Sequence, residues 1–429
     1  MGAIGTTGAV LASCGAAAPG AKRTTQPAGP PSWDDLRAMF RLRPDRIHMA
    51  GMLFASHPTP VREAIEALRK QFDEDPVGAI EATLEKGFDD EVRRAVVGYT
   101  GGDIEGIALT DSTTMGLGLV YTGLRLAPGD EILTSEHDHF SSYGALAAAS
   151  AKTGAKVRRV RLYDDGRTAD TKAIVSALAS AIGPATRVVA LTWVHSCSGV
   201  KLPVRALADA IAVANAKRDA AHQILFCVDG VHGFGVEADR VEDLGCDVFI
   251  AGCHKWLFGP RGTGIVWGRP AAWQQIAHTI PAFEQVTFDA FLQGKELPAT
   301  VSPARVFTPG GFHSVEHRYA LPAAFALHQT LVPARVAARI HELGTHVKQA
   351  LAGMKHVTLH TPMSPELSSG IICYEVAGLK PDVVVARLRA KNIITTNSPY
   401  QVSYARATPA LFNTPAELDT MLAEIRALA

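Results

Sequence analysis

The sequence has no excess of either charge: 42 basic residues balance 42 acidic ones over 429 positions. That balance argues against nucleic acid or an anionic membrane surface as the partner and leaves a small neutral or zwitterionic molecule. Cysteine is scarce. The six present (Cys14, Cys197, Cys227, Cys246, Cys253 and Cys373) form no C-x-x-C pair and show no zinc-ligand spacing, which excludes a disulfide framework or a structural metal and leaves most of them as buried apolar residues. Beyond the amino terminus no apolar run is long enough to span a bilayer, and no internal repeat is visible. What remains is ordinary globular composition, 47% hydrophobic and 20% charged, in a chain long enough for two cores.

The first 31 residues differ from the rest. "MGAIGTTGAVLASCGAAAPGAKRTTQPAGPP" is small and apolar, then rich in Pro, Gly and Thr. It has the hydrophobic and cleavage regions of an export signal without the basic leader, and "LASCG" resembles a lipobox in which Cys14 would carry the lipid. One expectation is therefore an exported protein whose arginine-containing leader lies upstream of this start. The other is a disordered tail on a cytoplasmic protein.

In the body, short β-branched runs alternate with amphipathic stretches. "GIALT", "EILTS", "KVRRVRL", "RVVALTWV", "ILFCVDG", "DVFIAGC" and "GIVWG" read as strands, with helical patterns such as "TKAIVSALASAI" and "VRALADAIAVANAKR" between several of them. This alternation predicts an α/β fold with a largely parallel sheet covered on both faces. After about Gly311 the order changes to a helix over "EHRYALPAAFALHQTLV", then "HVTLHT", "GIICYEVA", a helix over "PDVVVARLRAKN", "IITTN", "VSYARAT" and a last helix, "PAELDTMLAEIRAL". That order predicts a smaller α+β domain. The division expected is an N-terminal segment (32–60) packing with the small domain, a large domain (61–311) and a small C-terminal domain (312–429).

Ligands in such sheets collect beyond the carboxyl ends of the strands, so the residues there carry the chemistry. After "GIALT" come Asp111, Ser112, Thr113 and Thr114 opening a helix, whose hydroxyls and free N–H groups make a phosphate cradle. After "EILTS" come Glu136, His137, Asp138 and His139; after "RVVALTWV", His195 and Ser196; after "ILFCV", Asp229 and His232; after "DVFIAG", His254 and Lys255. Two histidines flank Asp138, but no further ligand clusters with them and no metal is expected. His195 reads as a polar residue at the rim of the site or as a satisfied core histidine. The set matches a ligand with a phosphate, an aromatic ring, a pyridine nitrogen and an aldehyde, which is pyridoxal 5'-phosphate. A lysine on a rigid strand end attacks the aldehyde once its amine is deprotonated, and a carboxylate holds a proton on the pyridine nitrogen so that the ring withdraws electrons.

At these residues the sequence resembles the class V aminotransferase family of fold type I, the group that includes cysteine desulfurases and isopenicillin N epimerases. "VDGVHGFG" and "GCHKWLFGPRGTGIVW" carry the resemblance, supported by "TPGGFHSVEHR" and "YARATPALFNTPAELD", and it runs from about Arg46 to the end. It implies a mostly parallel seven-stranded sheet between helices in the large domain. By the same resemblance Lys255 would form the Schiff base, Asp229 would pair with the pyridine nitrogen, His232 would reach the phenolic oxygen and His137 would stack on the ring. Thr113, Thr114 and His254 would hold the phosphate, Ser196 would lie near the phenolic oxygen, and Arg406 would clamp a substrate carboxylate. Gly310 and Gly311 would approach the phosphate of a neighbouring subunit, implying a homodimer with sites at its interface.

The reaction expected is transamination of an amino acid or an amino-acid-derived substrate. Epimerisation and β-elimination or C–S lysis are the alternatives within enzymes, and an inactive cofactor-binding regulatory protein is the alternative outside them. Desulfurases of the family need a mobile cysteine near the carboxylate-binding arginine. The segment "NIITTNSPYQVSYARATP" has none, which disfavours persulfide transfer.

Overall fold

A computed structural model describes residues 29–85 and 87–429. The signal-like segment, Cys14 included, lies outside the described residues except for its last three positions.

Seven strands form the main sheet: β1 (Ile107–Thr110), β2 (Glu131–Ser135), β3 (Lys156–Val160), β4 (Thr186–Thr192), β5 (Leu225–Asp229), β6 (Val248–Gly252) and β7 (Gly264–Gly268). Their order is β1-β7-β6-β5-β4-β2-β3. The sheet is mostly parallel but mixed, because β7 runs against both β6 and β1. Each of the seven apolar runs read from the sequence supplies one strand.

The central strands are apolar on both faces because each face has its own core. Along β5 and β6 successive side chains alternate between two clusters: Phe226, Val228, Phe249 and Ala251 face one, while Leu225, Cys227, Val248 and Ile250 face the other. At one edge, β3 instead exposes Lys156, Arg158 and Arg159, charges that protect an unpaired strand from edge-to-edge association. At the other edge the Leu109 N–H donates to Thr308 Oγ1 at 3.1 Å. The fully buried Arg93 ties this edge together, donating to the Ile107 carbonyl and Thr308 and pairing with Asp90 at 3.0 Å and Glu284 at 2.6 Å.

A smaller antiparallel sheet lies in the C-terminal part, made of β8 (Val357–Leu359), β9 (Ile372–Val376), β10 (Thr396–Asn397) and β11 (Ala405–Ala407), in the order β10-β11-β9-β8. A third apolar cluster sits between it and the helices Pro333–Ala352, Pro381–Ala390 and Pro415–Arg426. The helix Pro333–Ala352 is absent from the sequence reading, which passes from one helix directly to "HVTLHT". Its buried residues Val336, Ile340, Leu343, Val347 and Leu351 recur every three or four positions, the spacing of one helix face. The N-terminal segment joins this region. Ile47–His48 pairs in parallel with Ile393–Ile394, and Arg37 makes a two-pronged contact with Glu417 at 2.6 and 3.0 Å.

Candidate active site

The carboxyl ends of β1, β2, β4, β5 and β6 open on one cleft, and the turn before β11 reaches into it. Lys255 follows β6 directly, on the short connection that doubles back into β7. Its Nζ stands 3.5 Å from His232 Nε2. Burial pushes the Lys255 amine down to about 8, against the upward pull of Asp229 and with a further push down from Arg406.

Asp229 ends β5 and is buried, with Oδ1 accepting from the Val231 N–H at 3.1 Å. Burial raises its carboxyl to about 7, opposed by that hydrogen bond and by Lys255. His232 sits one turn further on. Burial drives its imidazole well below the ordinary range, and Lys255 and Arg406 add to the shift. Its Nδ1 is buried without a partner.

At the end of β1, Ser112 caps the helix Thr113–Gly123 by accepting from the Met115 N–H. Thr113 Oγ1 accepts from the Gly252 N–H at 2.7 Å, which docks this helix end against β6. Gly252 permits the approach: a Cβ there would lie 3.0 Å from both Thr113 Oγ1 and the His254 ring. Thr114 is exposed on the first turn, and His254 Nδ1 lies 3.4 Å from the Thr263 carbonyl.

Arg406, on β11, is buried beneath the cleft. It donates to Thr396 Oγ1 at 3.2 Å and to the carbonyls of Ser196 at 3.0 Å and Asn397 at 2.9 Å. Ser196 Oγ in turn lies 2.8 Å from Tyr400 Oη. Gly310 and Gly311 lie on the loop after Phe307, Gly310 half-buried and Gly311 exposed. Gly310 packs so closely on Phe283 and Pro281 that a Cβ would collide with both, whereas Gly311, at φ 99°, has open space before it.

The structure thus brings together Lys255, Asp229, His232, His254, Thr113, Ser196 and Arg406. His137 stands apart from them. Its ring lies flat on Tyr163, with centroids 3.8 Å apart and planes 5° apart. The histidine of this strand end that feels Lys255 and Arg406 is His139, pushed down to about 4 by burial and by those two cations. Its ring also meets Tyr400 edge-on at 5.8 Å. The buried carboxylate of Asp138 sets this arrangement, since it turns inward to accept from Thr134 Oγ1 and from the N–H groups of Ser135 and Thr192. Sequence reasoning quoted His139 and Tyr400 without giving either a role. His195 is fully buried, with Nδ1 2.8 Å from Tyr163 Oη. Among the described residues no group of three His, Cys, Asp or Glu side chains could hold a metal ion.

A model of the aminotransferase class-V family matches residues 82–402. This chain belongs to that family. Its cofactor is pyridoxal 5'-phosphate. The donor set fits such a group: helix N–H groups and hydroxyls for an anion, a buried carboxylate for a ring nitrogen, an unpartnered histidine nitrogen, and an amine of lowered basicity for an aldehyde. Among curated relatives, the isopenicillin N epimerase of Streptomyces clavuligerus is 26% identical over 364 residues, 83% of this chain and 87% of that protein. A probable cysteine desulfurase of Halalkalibacterium halodurans is 22% identical over 396 residues, 87% of this chain and 91% of that one. Among solved structures, the cystine C-S lyase C-DES in complex with cysteine persulfide superposes with a TM-score of 0.80 at 22% identity, covering 89% of this chain and 98% of the other. This likeness, at such identity, is one of fold.

Proposed function

We propose that the protein acts at the α-carbon of an amino-acid-type substrate, with transamination as its reaction and Lys255 as the residue that bonds the cofactor and moves the proton. The observation that carries this reading is the placement of Lys255, half-buried beyond β6 with its Nζ 3.5 Å from His232 Nε2 and in one cleft with Asp229 and Arg406. When bound, pyridoxal phosphate supplies an aldehyde for amines and an electron-withdrawing ring that acidifies the bond to the α-hydrogen.

The chain's residues divide the remaining work. The N-terminus of the helix Thr113–Gly123, with Thr113, Thr114 and His254, holds the phosphate. Asp229 would pair with the protonated ring nitrogen, and His232 and Ser196 would serve the phenolic oxygen. His139, rather than His137, would cover the ring face. Arg406 presents its guanidinium to the substrate carboxylate, in a geometry fixed beforehand by Thr396, Ser196 and Asn397. Lys255 would take the α-proton as a neutral amine and, as an ammonium, release it at a carbon other than the one that gave it up, so one side chain would serve as base and acid.

The working form proposed is a homodimer. The segment beside Gly310 exposes Ile280, Phe283, Phe288, Phe291, Leu292 and Phe312, apolar side chains that a second copy would cover.

Epimerisation or C–S lysis is the second reading, favoured by the names of the relatives. Persulfide transfer is disfavoured because Tyr400 occupies the loop before Arg406. Cys197 and Cys373, the thiols that feel Arg406, are pushed up by burial to about 11 and about 12, which disfavours the thiolate. A single-turnover experiment in deuterium oxide separates the outcomes. Transamination yields one keto acid per site without an added acceptor. Amino acid recovered with inverted configuration and α-deuterium would replace it with epimerisation, and release of pyruvate and ammonia with elimination.

A further inference from the structure

A cavity of about 710 Å³ opens beside the cleft. Neither Lys255 nor Asp229 lines it, yet Tyr400 belongs to both places: its ring forms part of the cavity wall while its hydroxyl reaches Ser196, the residue whose carbonyl holds Arg406. One side chain therefore separates the cavity from the carboxylate clamp. At roughly 30 Å³ per water the space equals about two dozen waters, far more than a short side chain on an amino acid held at Arg406 would displace. It lies within the usual size of a site for a whole organic ligand.

Its walls are aromatic and fixed in advance. His137 lies on Tyr163, His360 lies on Tyr404 with centroids 3.9 Å apart, and the Arg159 guanidinium sits 3.7 Å over the ring of Tyr143. The Tyr163 hydroxyl is gripped by the buried His195 and by Ser198 Oγ, each at 2.8 Å. A ligand entering here meets surfaces that lose little freedom on binding.

The charge is acidic. Glu136, Asp138, Asp164 and Asp165 stand on the lining against the single guanidinium of Arg159, Asp138 being turned inward to its three donors. Arg161 neutralises Glu136 from behind at 2.7 Å, Arg167 neutralises Asp165, and His360 is paired with Glu375 at 2.7 Å. Asp164 is left with one contact, to Arg161 at 3.6 Å, and is 89% exposed. Tyrosine faces beside an under-partnered carboxylate attract a cation.

We propose that the substrate is an α-amino acid with an extended side chain ending in a cationic group, such as a guanidinium, an imidazolium or a quaternary ammonium. The α-carboxylate lies at Arg406 and the cationic end in this cavity. The proposal rests on the reading of Lys255 and Arg406 given above. It is tested by titrating the holoenzyme and following the cofactor absorbance. The probes are L-arginine and Nε-trimethyl-L-lysine, with L-norleucine as a neutral chain and L-2-aminoadipate as an anionic one. The expected result is that the two cationic amino acids bind at least ~10-fold more tightly than norleucine. Asp164→Asn and Tyr404→Leu should each shrink that advantage several-fold and leave the norleucine constant unchanged. Equal binding of all four, tighter binding of the anionic one, a preference untouched by both variants, or no spectral response from any of them overturns the proposal. Failure of the underlying reading looks different: borohydride would then fix no cofactor on Lys255 in the untreated protein.

Discussion

Lys255 Nζ and His232 Nε2 face each other at 3.5 Å in a pocket that burial makes hostile to charge on either. Only the neutral amine attacks an aldehyde, so the rate at which apoprotein captures pyridoxal phosphate should rise with pH and level off above about 8, the value to which burial brings Lys255. An ordinary lysine would keep the rate climbing past about 10. Stopped-flow absorbance from pH 6.5 to 9.5 distinguishes the two, and Lys255→Ala should leave cofactor that gel filtration removes.

Asp229 pulls the Lys255 pKa upward and, at about 7 itself, is mostly ionised where the lysine titrates. Removing the charge in Asp229→Asn should therefore move the capture midpoint to lower pH while weakening retention of the cofactor. A midpoint that stays or rises would show that the two groups do not feel one another.

His139 and His137 make a matched pair of substitutions. His139→Ala should raise the dissociation constant for pyridoxal phosphate by about fivefold or more, since stacking contributes roughly 1 kcal/mol or above. His137→Ala, which strips a ring from Tyr163, should change it less than about threefold. The reverse order, measured by equilibrium dialysis, would return the stacking role to His137.

Arg406→Lys keeps the charge and loses the fork. Amino-acid binding to the holoenzyme should weaken by roughly 10- to 100-fold while cofactor retention is unchanged, because a lysine offers a point charge where the carboxylate needs two parallel donors. Loss of the cofactor itself would mean that Arg406 supports the pocket rather than the substrate.

Arg93 tests the scaffold. Its fully buried guanidinium satisfies two carboxylates, the Ile107 carbonyl and Thr308 at the edge of the main sheet. Arg93→Met should cost about 3 kcal/mol in chemical denaturation, the usual penalty for removing one side of a buried ion pair. It should also loosen Glu284 and the loop that carries Gly310.

The sheet was legible because its strands are apolar on both faces and end in polar residues, so "DVFIAGCHK" announces both a buried strand and the lysine beyond it. The proposed preference for His139 over His137 was not. It depends on Asp138 turning inward to three donors, one of them the Thr192 N–H on a strand more than fifty residues away. The cavity was equally hidden, because Tyr163 and Tyr400 approach the same space from the large and the small sheet regions, far apart in sequence, and neither lies in a motif. The helix Pro333–Ala352 shows a different failure: its apolar face is regular, but the intervening Arg, His and Glu residues mask it when the segment is scanned for runs rather than for period.

The reversed strand β7 bears on biosynthesis. It pairs with β6, made just before it, and with β1, about 150 residues upstream. Until the ribosome has released Gly264–Gly268, β1 has no partner in the sheet, and the helix end bearing Thr113 rests on its contact with Gly252 of β6. Insertion of β7 ties β1 to β6 and completes the frame that carries the anion cradle and the reactive amine. Nascent chains shorter than that should show no affinity for the cofactor, and the vitamin-derived ligand should act as a chaperone only on chains that have passed this point.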